Sequence, residues 1–180
     1  TGYIGGRLVP RLVAAGYRVR VLVRDPARLA AFDWADAVDV VAGTATDAAA
    51  LETACADVDV LYYLIHSMGE GAGFERADLA AARAVAAAAS AASVGRVVYL
   101  GGLHPEGVPL SPHLRARVDV REVFLRSGVP TLELQAGFLV TAGTVGLLAA
   151  YYDASLADFL YLLAFALVLT GIAVNALGYL

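Results

Sequence analysis

The chain has 180 residues, 59% apolar and 17% charged, a composition that excludes intrinsic disorder over most of its length. All 13 basic residues are arginine, so a catalytic lysine is excluded, and a formal net charge of −4 gives no general attraction for nucleic acid. The single cysteine, Cys55, excludes a disulfide framework and a multi-cysteine zinc site.

The chain opens on Thr1-Gly2-Tyr3-Ile4-Gly5-Gly6, a glycine-rich turn running into a helix with no strand and no signal segment ahead of it. The expectation is a truncated chain. From Gly5 onward RLVPRLVAAG reads as helix, with Leu8, Leu12 and Ala15 on one face, Pro10 within the first turns and Gly16 as C-cap. Alternation over 19–23 predicts a first strand, broken by Asp25-Pro26 and followed by a short helix over 27–32. Residues 38–41 predict a second strand, ended by Gly43, and Thr46-Asp47 caps a helix over 48–56. Residues 58–65 (VDVLYYLI) predict a third strand, apolar enough to be covered on both faces. A long alanine-rich helix follows over 74–93, then a fourth strand over 96–100. A helix over 112–127, with Leu114, Val118 and Leu125 on one side, leads to a fifth strand over 131–140. Strands alternating with helices on short loops indicate βαβ units and a parallel sheet.

Charge divides the chain in two. Residues 1–127 carry all 13 arginines and 14 of the 17 acids; beyond Asp158 the last 22 residues, 159–180, carry no charge. A helix of that length rises about 33 Å at roughly 1.5 Å per residue, enough to span a bilayer's hydrocarbon core. Tyr151-Tyr152 and Tyr179 stand where interfacial aromatics would, and the arginines before the run would keep the body cytoplasmic. The expectation is a membrane anchor over 159–180, in preference to a buried helix of a missing substrate domain; Asn175 is a mild counter-signal.

Gly2 and Gly5 have the spacing of the last two glycines of a GxxGxxG loop. Such a turn lets backbone N–H groups approach a diphosphate, with the helix N-terminus adding partial positive charge. The plainer alternative is a turn before a helix. Arg24 stands at the end of the first predicted strand, where a dinucleotide fold meets the adenosine ribose; arginine there suits a 2′-phosphate, hence NADP, with NAD as the alternative.

TGYIGGRLVPRLVAAGYRVRVLVRDPARL resembles the start of an atypical (extended-type) short-chain dehydrogenase/reductase of the NmrA-like NAD(P)H-binding group. YYLIHSMG at 62–69, RVVYLGGLHPEG at 96–107 and LSPHLRARVDVREVFLRSGVPTLELQAG at 110–137 resemble the same subgroup. The likeness covers residues 1–145 and leaves the tail, 146–180, as a separate segment. It implies a Rossmann-type doubly wound parallel sheet, lacking its first and central strand here. The dinucleotide would lie over Gly2, Tyr3, Ile4 and Gly5, Arg24, the end of the third strand (Leu64, Ile65, His66), and Leu100, Gly101 and Gly102.

Three departures stand out. The family commonly has Asp near the adenine, where this chain has Thr44. Conventional members use a serine, where this chain has Gly101-Gly102. They also use a Tyr-xxx-Lys pair, and His113-Leu114-Arg115-Ala116-Arg117 occupies that region. His113 and Arg117 share one helical face, so a neutral histidine beside an arginine that lowers its pKa is the candidate proton exchanger; a helix-start histidine and a solvated arginine are the bland alternative. His104 reads as a loop residue and Cys55 as a small packing residue; Ser67 and Ser111 have no base partner, and no metal-ligand spacing occurs. The expectation is an NAD(P)H-binding protein, with activity on a small carbonyl or quinone-like substrate as the first reading. A non-catalytic sensor or scaffold at the cell membrane, or a non-functional fragment, are the alternatives.

Overall fold

The computed structural model describes residues 2–66, 73–102 and 109–136. In chain order the elements are α1 (Tyr3–Ala14), β1 (Arg20–Val23), two 3-10 turns (Pro26–Ala31 and Ala35–Ala37), β2 (Asp39–Ala42), α2 (Ala48–Cys55), β3 (Val60–Tyr63), α3 (Phe74–Ala91), β4 (Arg96–Gly102), α4 (Pro112–Leu125) and β5 (Thr131–Ala136).

Local chemistry sets several of these boundaries. Gly16 ends α1 at φ +84°, a conformation that a Cβ resists, and the N–H groups of Gly16 and Tyr17 fold back onto the Val13 and Leu12 carbonyls. Asp25 Oδ1 accepts from Ala27 N–H, Asp47 Oδ1 from Ala50 N–H and Ser111 Oγ from Leu114 N–H, so each following helical segment starts on a side-chain cap.

All the strand pairs are parallel. β1 pairs with β2 (Val21 opposite Val40); β4 lies between β3 and β5, with Val98 opposite Tyr62 and Leu132. These are two sheets, of order β1-β2 and β3-β4-β5. Alternation along β1 sends Val21 and Val23 to the α1 side and Leu22 to the side of α2, α3 and α4. Helices therefore cover both faces, as a doubly wound fold requires. Arg20 of β1 donates to the carbonyls of Thr53, Ala54 and Ala56 at 3.0, 3.5 and 2.6 Å, tying the first sheet to the negative end of α2.

Two cores result. The smaller holds Val9, Val23, Leu29 and Trp34, with Phe32 and Trp34 ring centroids 4.7 Å apart. The larger joins α2, α3 and α4 to β3 and β4, with Phe124, Val97, Ala82 and Ala89 fully enclosed. The small side chains of α3 let it lie close to the sheet, as its composition suggested.

Five expectations are corrected. The inward face of α1 is Val9 and Val13, not Leu8, Leu12 and Ala15, because Gly6 lets the Phe32 ring approach and sets the helix rotation. Pro10 lies in the middle of α1 rather than its first turn. The inward face of α4 is Ala116, Val120 and Phe124; Leu125 is exposed, because the aromatic Tyr63 and Tyr99 beneath α4 receive Phe124. β3 is not covered on both faces: Val60 and Tyr62 are 42% and 40% exposed, since packing reaches it from the α3 and α4 side. β4 runs to Gly102, two residues further than its pattern indicated. Residues 137–140, His104, Ser67 and the whole tail 146–180 lie outside the described residues. Among the described residues no helix is long and apolar enough to cross a membrane.

Candidate functional site

The sequence-derived site residues fall into two groups. The first surrounds the start of α1. Gly2 is extended (φ −80°, ψ 178°) and supplies no side-chain cap, and no acid stands in the first turn. The first helical bond runs from Gly6 N–H to the Gly2 carbonyl at 2.8 Å, so the N–H groups of Tyr3, Ile4 and Gly5 have no acceptor within the helix. A Cβ built on Gly2 or Gly5 would meet nothing within 4 Å. Free donors, a positive helix end and open space above two glycines together fit a diphosphate. Arg7 adds charge nearby, its guanidinium 3.7 Å from the Tyr3 ring centroid.

Arg24 is the first residue after β1 and is exposed. Gly43 follows β2, and its N–H donates to the Val23 carbonyl at 2.9 Å. A side chain at Gly43 would collide with the Ala50 methyl, so glycine there lets α2 pack close. Thr44 is exposed, with its hydroxyl 3.1 Å from that of Thr46.

The second group lies beyond the ends of β3 and β4. Leu64, Ile65 and His66 leave β3 directly. His66 Nδ1 stands 3.6 Å from Asp78 Oδ2, and Asp78 is buried, its side chain 6% exposed. Phe74, one turn earlier on α3, stacks on the His113 ring at 4.5 Å and 20°. Arg117 arches over Gly102, where an added Cβ would come within 2.9 Å of Arg117 Cδ. Its backbone carbonyl accepts the Tyr99 hydroxyl at 3.0 Å. Next to it, a Cβ at Gly101 would meet Glu133 Oε1 at 2.5 Å. That carboxylate is held by Arg121 Nε at 2.7 Å and Gln135 Nε2 at 3.2 Å. The side-chain space at Gly101 is thus taken by the Glu133 carboxylate, and that at Gly102 by the stem of Arg117 and by Leu114.

The electrostatics follow from this packing. Burial lowers the pKa of His66; Arg117 and, less, His113 push the same way, and Asp78 opposes them. Burial raises Tyr99 to about 12, with Glu133 and Asp78 adding and Arg117 opposing. Burial also raises Tyr63, whose hydroxyl has no hydrogen-bond partner among the described residues. Cys55 is buried and its thiol raised by burial, consistent with a packing role.

The predicted pair His113 and Arg117 lies near enough to a further candidate, His66, for both charges to act on its imidazole. Asp78 was missed in the sequence. The signal was present: positions 78, 82, 85, 86 and 89 form one buried stripe of α3, and an acid on such a stripe needs a partner. Among the described residues no group of three or more His, Cys, Asp or Glu side chains could hold a metal ion.

Residues 1–124 match the NAD(P)H-binding family, and the chain belongs to it. The expected membership of an NAD(P)H-binding family is borne out, and solved structures share the fold. The chain's fold is similar to that of the Citrobacter sp. triphenylmethane reductase complexed with NADP(H), at 19% identity, with 82% of this chain and 51% of that one covered and a TM-score of 0.65. An NADPH-dependent quinone oxidoreductase from Escherichia coli, complexed with NADPH, gives 24% identity, 80% and 50% coverage and a TM-score of 0.63. A short-chain dehydrogenase/reductase superfamily protein from Agrobacterium tumefaciens with bound NAD gives 20% identity, 87% and 58% coverage and a TM-score of 0.61. The chain thus spans about half the length of these structures. No curated protein matches it.

Proposed function

We propose that the chain is the NADP(H)-binding part of a reductase acting on a small carbonyl or quinone-like compound, with NAD as the alternative coenzyme. The observation that carries this reading is the start of α1, where three amide donors without helix acceptors lie beneath the open space over Gly2 and Gly5. The backbone of Gly2, Tyr3, Ile4 and Gly5 holds the diphosphate. Arg24 pairs with a 2′-phosphate, and the Thr44 hydroxyl hydrogen-bonds near the adenine. Leu64, Ile65, His66 and Gly101 lie along the nicotinamide half. A reduced nicotinamide bound there supplies hydride. The names of the Citrobacter and Escherichia coli neighbours, one a dye reductase and one a quinone oxidoreductase, support the reaction class.

The chain's own residues do the remaining work. With no lysine and no Tyr-xxx-Lys pair, proton exchange falls to the cluster of His66, His113 and Arg117. Residues 1–145 form the dinucleotide-binding domain, and the uncharged run 159–180 tethers it to a membrane with the domain on the cytoplasmic side. A fluorescence titration with NADPH tests the first part of this reading, and saturable binding is the expected result. Oxidation of NADPH with a panel of quinones and aldehydes tests the second; binding with no turnover would mark a sensor instead. Recovery of the chain in the soluble fraction without detergent would contradict the tether.

A further inference from the structure

We propose that the first turns of α3 and α4, with the end of β3, form a substrate-oxyanion site in which Arg117 and His113 receive an anionic oxygen and His66, positioned by Asp78, exchanges the proton. The substrate class this site selects is a reducible compound that also carries a carboxylate or phenolate oxygen. The inference rests on the reductase reading above and adds to it the acid–base residue and the charge of the substrate.

Three observations converge. The buried Asp78 carboxylate lies 3.6 Å from His66 Nδ1, which directs one ring nitrogen to Asp78 and leaves Nε2 for a substrate. The Phe74–His113 stack at 4.5 Å fixes the second imidazole against the first turn of α3, one turn before Asp78. Arg117 is held from behind by the Gly102 backbone and by its own carbonyl's bond to the Tyr99 hydroxyl, and no carboxylate pairs with its guanidinium among the described residues. The neighbouring Arg121, by contrast, is fully engaged with Glu133 and Glu122. Of these two arginines one turn apart, Arg121 is paired with carboxylates and Arg117 has no carboxylate partner among the described residues, which suits it to an incoming anion.

Among the described residues, the charged and titratable groups that act on His66 are Asp78 of α3 and His113 and Arg117 of α4, and Asp78 also acts on Tyr63 of β3. Burial first, and then the positive charge of Arg117, disfavour a proton on His66. An anion bound at Arg117 cancels that repulsion and favours the imidazolium. Substrate arrival therefore loads the proton that the reaction uses. In the transfer, the Nε2–H bond of His66 breaks, an O–H bond forms on the oxygen of the reduced group, and the imidazole is left neutral and regains a proton from solvent. The hydride at the carbon comes from the reduced nicotinamide coenzyme.

The test is NMR of the coenzyme-free full chain labelled in histidine. The three histidines can be assigned with His104→Gln and His113→Gln variants. Benzoate is the probe, with benzamide as its neutral control. The expected result is an upward shift of the His66 half-titration pH by about half a unit or more with benzoate, and none with benzamide. In Arg117→Gln the His66 midpoint starts higher than in the native chain and no longer responds to benzoate. In Asp78→Asn it starts lower, and Asp78→Glu restores part of the difference, which a merely structural role would not produce. A His66 midpoint that ignores benzoate, or one that responds equally in Arg117→Gln, overturns the proposal. Because no coenzyme is present, that failure is separable from a failure of NADPH binding.

Discussion

The two sheets of this molecule are unequally supported. Among the described residues, the core of the β1-β2 half consists of four buried side chains, Val9, Val23, Leu29 and Trp34. The β3-β4-β5 half rests on a core spanning α2, α3, α4 and two of its strands. Chemistry is distributed the opposite way. The proposed diphosphate donors and Arg24 belong to the lightly cored half, whereas the proposed proton-exchange group of His66, Asp78, His113 and Arg117 sits on the heavily cored one. A phosphate cradle built from backbone amides tolerates a shallow foundation because a bound coenzyme stabilises it by mass action. Proton exchange depends on side chains held to fractions of an ångström, and the proposed exchange group lies where packing is deepest.

The largest expected effect lies in the deep core. Phe124 is fully buried between Tyr63 and Tyr99, at centroid distances of 4.7 and 5.8 Å. Phe124→Ala should cost about 3–5 kcal/mol in urea unfolding followed by far-ultraviolet circular dichroism. Arg24→Ala comes next: a charge-assisted phosphate contact contributes about 1.5–3 kcal/mol, so NADPH affinity should fall about tenfold or more while NADH affinity stays constant. An equal loss for both coenzymes would place Arg24 away from the 2′-phosphate. Val9→Ala, in the shallow core, should cost about 1–2 kcal/mol. Trp34 is the chain's single tryptophan and reports on that core, so its fluorescence transition should move while circular dichroism of the other half moves less.

The smallest effect is at alkaline pH. Tyr99 has its pKa raised to about 12 by burial, against about 10 for an unfolded tyrosine. A raised acid holds its proton longer in the folded state, so its contribution is complete below about pH 10 and is lost as pH rises through the folded value. The loss from Tyr99 should reach about 1 kcal/mol by about pH 11, and Tyr99→Phe should flatten the fall by that amount.

Much of the fold was legible because strands and glycine punctuation are local signals. The five strands, the Gly16 stop and the Asp47 cap all lie where the pattern placed them, within a few residues. Helix rotation was less legible. α1 and α4 each carry apolar residues on more than one face, and the choice between Leu8 and Val9, or Leu125 and Phe124, is made by partners distant in sequence: Phe32 for α1, Tyr63 and Tyr99 for α4. The site divides in the same way. Gly2, Gly5 and Arg24 could be read from spacing alone. Asp78 could not be joined to His66, nor His113 to Phe74, until α3 and α4 were packed against each other. Nor does any local pattern reveal that Glu133 and Arg117 fill the space beside Gly101 and Gly102.

The most direct test is calorimetric titration of NADPH into the native chain and into Gly5→Ala. A methyl at Gly5 touches nothing in the protein, and alanine is about 1 kcal/mol better than glycine inside a helix. The variant should therefore unfold no earlier than the native chain, yet bind NADPH at least several-fold more weakly. Equal affinity in the two proteins, or no saturable binding to the native chain at millimolar NADPH, would contradict the assignment of these amides to the diphosphate.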